Sequence, residues 1–239
     1  MSPTIALAGN PNVGKSTLFN ALTGSRQHVG NWPGKTVEKK EGVLQMGEQE
    51  ILVVDLPGTY SLSAYSLEEI IARDFIINEA PRAVVAVVDA ANLERNLYLV
   101  SQLIELDVPV IVALNMTDIA ANQGLMISSQ DLSRRLGGIP VIETVGNRRL
   151  GIDHLKKAIA EVANNPHKAQ VQTHYSKEIR DELDNLKATI AEKKPLGNDV
   201  PDAYLALKLL ENDQAIIDDL KDRKLDWLVA DAEAARERI

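Results

Sequence analysis

The run Gly9-Asn10-Pro11-Asn12-Val13-Gly14-Lys15-Ser16 sets two glycines, a lysine and a hydroxyl at the offsets G-x-x-x-x-G-K-[ST], between an apolar stretch and a segment of helical period. That spacing is the phosphate loop. Its glycines let backbone N–H groups close around a β-phosphate, Lys15 brings a point charge to the β- and γ-phosphates, and the helix beginning there turns its positive end to the anion. Ser16 is the expected Mg²⁺ ligand. Asp55-Leu56-Pro57-Gly58 follows the apolar run Ile51-Leu52-Val53-Val54, so the Asp55 carboxylate projects from a strand end toward the same cation. Thr36 lies between these motifs in a Gly/Pro-rich stretch, placed to lay its hydroxyl over the γ-phosphate and onto Mg²⁺. Asn115-Met116-Thr117-Asp118 closes the apolar run 108–114 at another strand end. A carboxylate there accepts hydrogen bonds from guanine N1–H and the 2-amino group, a pair adenine cannot supply. Guanine is the expected base. Plainer readings exist for each residue taken singly: a turn for Asp-x-Pro-Gly, a helix cap for Asp118, a bare loop position for Thr36. The order of the motifs is what weighs against them.

To gather these groups the chain needs strands whose ends face one way. Over residues 4–163, short β-branched runs alternate with longer segments of helical period, the pattern of a parallel sheet with crossover helices. Strands are expected near 4–8, 41–46, 50–55, 83–88, 108–114 and 139–145, five parallel and one antiparallel, with a hairpin around Gly47. Helices are expected near 15–23, 66–78, 92–105, 129–136 and 151–163. Past Asn164-Asn165-Pro166 the strand signals stop, and Ile179, Leu183, Leu186 and Ile190 recur at helical steps. Pro195-Leu196-Gly197-Asn198 and Pro201 then break the chain before helical stretches around 202–211, 213–221 and 225–237. The expected fold class is α/β, a P-loop domain with a six-stranded, mostly parallel sheet over 1–165, followed by a small all-helical subdomain over 166–239.

Composition narrows the partners. The 239 residues, 45% of them hydrophobic, suit a globular chain, and 26 Lys+Arg against 34 Asp+Glu leave a net charge of −8, which disfavours broad docking on nucleic acid or anionic lipid. No cysteine is present, so disulfides, thiolate metal sites and cysteine nucleophiles are excluded. No apolar stretch approaches the roughly 20 residues of a membrane span. His28, His154, His167 and His174 lack metal-ligand spacing, and Lys39-Lys40 and Arg148-Arg149 read as solvated pairs. Glu68 and Glu69 favour a helix start.

In order and spacing these motifs resemble the translation-factor-like small GTPases. His28-Val29-Gly30-Asn31-Trp32-Pro33-Gly34-Lys35-Thr36-Val37-Glu38 is similar to switch I of the ferrous iron transport protein B family, FeoB, and Asp55-Leu56-Pro57-Gly58-Thr59-Tyr60-Ser61-Leu62 to its switch II. The resemblance implies a nucleotide held by Gly9, Asn10, Pro11, Asn12, Val13, Gly14, Lys15, Ser16 and Thr17, by Gly34, Lys35 and Thr36, and by Asp55, Pro57 and Gly58. Around the base it implies Asn115, Met116, Asp118, Val145, Gly146 and Asn147, with the Gly146 N–H offered to guanine O6 from a loop that glycine loosens. Mg²⁺ would fall to Ser16 and Thr36, with Asp55 acting from the outer coordination sphere. Asn12, Lys15, Thr36 and Gly58 carry catalysis by the same resemblance. Thr59 stands where many GTPases place a water-orienting glutamine, and residues 28–38 contain no arginine. Asn12 matches the asparagine with which potassium-activated relatives hold K⁺, and the carbonyls of Gly30 and Trp32 would complete that site; the plainer reading of Asn12 is a loop cap.

The function this implies is GTP binding and hydrolysis to GDP, Mg²⁺-dependent and K⁺-activated, by the cytosolic regulatory region of a prokaryotic Fe²⁺ uptake transporter. Implied partners are the membrane permease region of the same full-length protein, at the cytoplasmic face of the inner membrane, small cytosolic accessory proteins and further copies of the chain, with no nucleic acid. Two rivals are a GTPase of ribosome or tRNA maturation and a non-hydrolysing nucleotide-gated module.

Overall fold

The computed structural model describes all residues except Met1, Ser25, Arg26, Ala64, Tyr65, 172–174 and 197–199. His174 and the Gly197-Asn198 part of the expected break therefore lie outside the described residues. The chain divides into two compact units, the first comprising Met1–Ile104 and Val108–Val171, the second Gln172–Ile239 together with Glu105–Asp107.

In the first unit the strands are β1 (Thr4–Gly9), β2 (Gln27–Asn31), β3 (Glu38–Met46), β4 (Gln49–Asp55), β5 (Ala83–Asp89), β6 (Val110–Asn115) and β7 (Val141–Glu143). They form one sheet in the order β2-β3-β4-β1-β5-β6-β7. The pairs β4-β1, β1-β5, β5-β6 and β6-β7 are parallel; β3 is antiparallel to both β2 and β4. The sheet thus has seven strands rather than six. The extra one is β2, whose five side chains are all exposed, so no apolar alternation marks it in the sequence.

β5 and β6 are apolar and buried nearly throughout, as strands covered on both faces must be. One face is covered by α1 (Lys15–Thr23) and α6 (Ile152–Asn164), whose Leu18, Phe19, Leu22, Leu155, Ile159 and Val162 join Ile5, Leu7, Val85, Val87 and Ile111 in one cluster. The remaining helices are α2 (Leu67–Asn78), α3 (Leu93–Glu105), the short α4 (Thr117–Asn122), which the periodicity does not signal, and α5 (Ser129–Arg135). α2 opens on a capping box: the Ser66 hydroxyl accepts the Glu69 N–H and the Glu69 carboxylate accepts the Ser66 N–H, both at 3.2 Å.

The second unit holds α7 (Lys177–Lys193), α8 (Asp202–Leu210), α9 (Gln214–Asp222) and α10 (Asp226–Arg238). Leu186 and Ile190 pack with Leu205, Leu209, Ile217, Leu220 and Leu228 in a core of its own. Glu182 and Arg238 pair at 2.7 Å across α7 and α10. None of the helices among the described residues is long and apolar enough to cross a membrane.

Candidate functional site

Because β1, β4 and β6 run the same way, their carboxyl ends deliver Gly9, Asp55 and Asn115 to one edge of the sheet. β1 sits where the strand order reverses, the place where open α/β sheets bind ligands. A cleft of about 490 Å³ lies there, lined by Asn10, Pro11, Asn12, Gly14, Lys15, Ser16, Thr17 and Gly58. Asn12 and Gly14 both adopt the left-handed conformation, φ 67° and 84°, which curls the loop over the start of α1. Glycine is required at 14 twice over, since a Cβ there would also stand 2.4 Å from Asn115 Nδ2. Pro57 continues the Asp-x-Pro-Gly turn, and the Leu56 N–H is anchored on the Leu7 carbonyl at 3.0 Å.

Lys15 is a cation held at the cleft by two oxygens. Its ammonium pairs with the Asp55 carboxylate and donates to the Leu56 carbonyl at 2.5 Å; both charged side chains are largely buried. Lys40, bonded to Glu38 at 2.7 Å and opposite Asp55 in the β3–β4 register, is held above the usual lysine range, chiefly by the Glu38 bond and further by the charges of Glu38 and Asp55. The neighbouring Lys39 pairs with Glu41 at 2.6 Å, so neither lysine is simply solvated. Thr59, at the position of the missing glutamine, is 4% exposed and donates its N–H to the Gly9 carbonyl at 3.2 Å.

Switch I is gathered elsewhere. Gly30 pairs with Lys39 in the β2–β3 ladder. The Trp32 N–H donates to the Val37 carbonyl and the Trp32 carbonyl accepts the Lys35 N–H, both at 2.9 Å. The indole is buried edge-on against Phe75 of α2, centroids 5.5 Å apart, with the Lys39 ammonium 5.0 Å from its ring. Trp32, Pro33 and Lys35 line a separate cavity of about 500 Å³ with Ile70, Ile71 and Phe75. Gly34 (φ 67°) and Thr36 are exposed. The structure therefore brings together Asn12, Lys15, Ser16 and Gly58 along the cleft, with Asp55 paired to Lys15, and Gly30, Trp32, Lys35 and Thr36 are not among the residues lining that cleft.

At the base side, Asn115 is a clamp, 2% exposed. Its Nδ2 donates to the Val13 carbonyl at 2.9 Å, and its Oδ1 accepts from the Thr144 hydroxyl at 3.1 Å and the Gly146 N–H at 3.0 Å. The glycine loop is thus braced rather than loose. The Val145 and Leu150 backbones bridge across it, and a Cβ at 146 would come within 3.1 Å of Leu18 and 3.3 Å of Thr17. Met116 has φ 60°, which turns the chain into α4, where Thr117 donates to the Thr144 carbonyl at 3.4 Å and Asp118 sits in the first turn. Asn147 is exposed. Arg148, read from the sequence as half of a solvated pair, reaches the Asp118 carboxylate at 3.7 Å.

Two more residues escape the sequence reading. Gln102, buried on α3, accepts the Leu62 N–H at 2.7 Å and fixes switch II, and Arg95 stacks 4.2 Å over the Tyr60 ring. Nothing in their spacing sets them apart from other helix residues. Glu69, beyond its part in the capping box, accepts the Ser61 hydroxyl at 2.7 Å.

The sequence matches two family models, one described as ferrous iron transport protein B over residues 3–159 and one as the FeoB cytosolic helical domain over residues 175–239. It is 49% identical over 214 residues to the Fe(2+) transporter FeoB of Escherichia coli K12, covering 88% of this chain and 27% of that protein. The chain thus spans about a quarter of the length of such relatives. Among solved structures, the cytosolic domain of L. pneumophila FeoB is 38% identical with a TM-score of 0.84, covering 98% of this chain and 95% of that one. The cytosolic domain of the T. maritima FeoB iron transporter in a GDP form is 35% identical with a TM-score of 0.85, covering 100% and 95%. A phosphate loop, an aspartate turn and a base-side clamp on one sheet edge, followed by a separate helical unit, are joined here to family matches over both units: the chain belongs to the ferrous iron transport protein B family.

Proposed function

We propose that this chain binds GTP and hydrolyses it slowly to GDP and phosphate, as the nucleotide-dependent regulatory region of an Fe²⁺ transporter. Its domains in that reading are a GTP-binding domain over 1–165 and a helical domain over 166–239. It would work at the cytoplasmic face of the membrane, joined to the permease region of the full-length protein. The observation that carries the reading is the single sheet edge to which β1, β4 and β6 deliver Gly9, Asp55 and Asn115, with Lys15 and Ser16 lining the cleft there and Asp118 in the first turn of α4 just past Asn115. The T. maritima relative is described in a GDP form, which supports the choice of guanine.

When triphosphate enters, the Lys15 ammonium exchanges Asp55 and the Leu56 carbonyl for phosphate oxygens. The loop amides and the start of α1 supply the remaining positive field. A hydroxyl at Ser16 and a carboxylate at Asp55 make an oxygen donor set that suits Mg²⁺, with Thr36 joining once switch I leaves β3. That cation would neutralise charge on the β- and γ-oxygens. Asn12 lines the cleft, and its side-chain amide oxygen would hold K⁺, which would supply positive charge where other GTPases use an arginine. In the present conformation the Trp32 carbonyl accepts the Lys35 N–H and Gly30 lies in the β2–β3 pair, so a K⁺ site using both carbonyls would require the Trp32–Lys35 turn to open and β2 to detach. Thr59 is buried, and a threonine lacks the side-chain amide with which glutamine orients water, in keeping with slow turnover. No observation favours a ribosomal or tRNA-maturation role.

The test is Asp118→Asn with fluorescent GTP and XTP. GTP affinity falls by about 2–5 kcal/mol through loss of the paired acceptor, while XTP, which presents an oxygen where guanine has its amino group, gains. GTP binding at the original strength would remove the base-site reading.

A further inference from the structure

The carboxylate that reads the base is the least secured part of its own site. Asn115 beside it makes three hydrogen bonds, and Thr117 donates to the Thr144 carbonyl. Asp118 is different. Among the described residues its one side-chain partner is Arg148, Nη2 to Oδ2 at 3.7 Å.

Arg148 reaches Asp118 from a firm mount. It ends the one-turn helix Gly146–Arg148, its N–H donates to the Val145 carbonyl at 3.0 Å, and the turn is closed by the Val145–Leu150 bridge and by Gly146 N–H on Asn115. Val145, at the head of the turn, has no polar side chain with which to steady the carboxylate. An ionised carboxylate has about four lone-pair directions, and guanine's N1–H and 2-amino group use one on each oxygen. A direction on Oδ2 is left for the Arg148 guanidinium.

We propose that Arg148 is a positioning residue for base recognition: it holds the plane of the Asp118 carboxylate so that both oxygens face the guanine edge. The inference rests on the reading of Asp118 as the guanine acceptor. Because the guanidinium is 65% exposed, solvent screens the pair, and its removal weakens binding by only about two- to fivefold.

The experiment measures GDP and IDP affinities by competition against a fluorescent nucleotide for the parent, Arg148→Ala, Arg148→Lys and Asp118→Asn, with thermal unfolding of each. Inosine lacks the 2-amino group, so the GDP-to-IDP affinity ratio reports the orientation of Asp118. Arg148→Ala is expected to lower GDP affinity about two- to fivefold and shrink that ratio at an unchanged melting temperature, and Arg148→Lys to restore most of it. An unchanged ratio, or tighter GDP binding in Arg148→Ala as though the arginine competed with the base, overturns the proposal. If GDP binding falls in Asp118→Asn while Arg148→Ala is silent, the positioning role alone fails. If Asp118→Asn is silent too, the guanine reading beneath it has failed.

Discussion

Replacing Asn115 with alanine removes the group that ties the phosphate loop, β6 and the guanine loop together. Two partners would be orphaned in a dry setting: the Val13 carbonyl, on a residue 3% exposed, and the Gly146 N–H. Each buried polar group left unpaired costs about 1–3 kcal/mol. Thr144 loses less, since its hydroxyl already has the Leu114 carbonyl at 3.5 Å as a second acceptor. The sum is about 2–5 kcal/mol. The two tryptophans offer a way to localise it, because Trp32 lies in the first unit and Trp227 in the second. In a Trp227→Phe background, urea unfolding followed by fluorescence reports the first unit alone. With a slope of about 2 kcal/mol per molar urea, the midpoint should fall by about 1–2.5 M at an unchanged slope. Thr144→Val should move it by less than half as much. A midpoint within about 0.3 M of the parent for Asn115→Ala would show that water or a local shift satisfies both orphans, and the clamp argument would be wrong.

GTP hydrolysis should run faster in K⁺ than in Na⁺ at matched ionic strength, with Asn12→Ala erasing the difference while nucleotide still binds. Equal rates in the two salts would leave Asn12 with only the left-handed turn of the loop to explain it. Glu105 supplies a pH prediction: burial raises its carboxyl above the usual carboxylate range, outweighing the attraction of Lys208. The proton is then lost more readily from the unfolded chain, so the associated stability is complete below the unfolded pKa and disappears as pH rises through the folded one. Glu105→Gln should therefore stabilise the protein at about pH 8 and do little at about pH 4, judged by denaturant midpoints; destabilisation at both would refute the sign.

What the sequence makes legible is whatever burial or backbone chemistry stamps onto residue order. The buried parallel strands announce themselves as apolar runs, and the glycine spacing of the phosphate loop leaves few alternatives, so Gly9, Asp55 and Asn115 are foreseeable as neighbours. β2 carries no such stamp: it is held by its ladder to β3 alone, and Gln27-His28-Val29-Gly30-Asn31 could equally be loop. β7 is also shorter than its apolar run: Thr144 and Val145 lie past its end, where the Thr144 hydroxyl bonds Asn115 and Val145 bridges to Leu150. Switch I shows the deeper limit. Family resemblance names Gly30 and Trp32 as K⁺ ligands and Thr36 as a nucleotide and Mg²⁺ ligand, but residue types do not say where the segment rests, and here it lies along the sheet. Arg148 is invisible for a different reason: only the fold of the turn distinguishes it from Arg149.

A strand with no buried face has little to tell it which neighbour to pair with, and β2 exposes all five of its side chains. Sliding it by one residue along β3 would cost almost nothing within the strand itself. It would, however, turn Trp32 to the opposite side and pull the indole away from Phe75. Trp32 therefore works as an index mark on an otherwise unmarked ribbon. Were the segment to leave the sheet and come back, as the proposed nucleotide cycle requires, the aromatic seat would select one phase out of several and return Gly30 and Thr36 to the same starting positions. The reproducibility of the resting state is stored in one ring just beyond the strand, rather than in the strand.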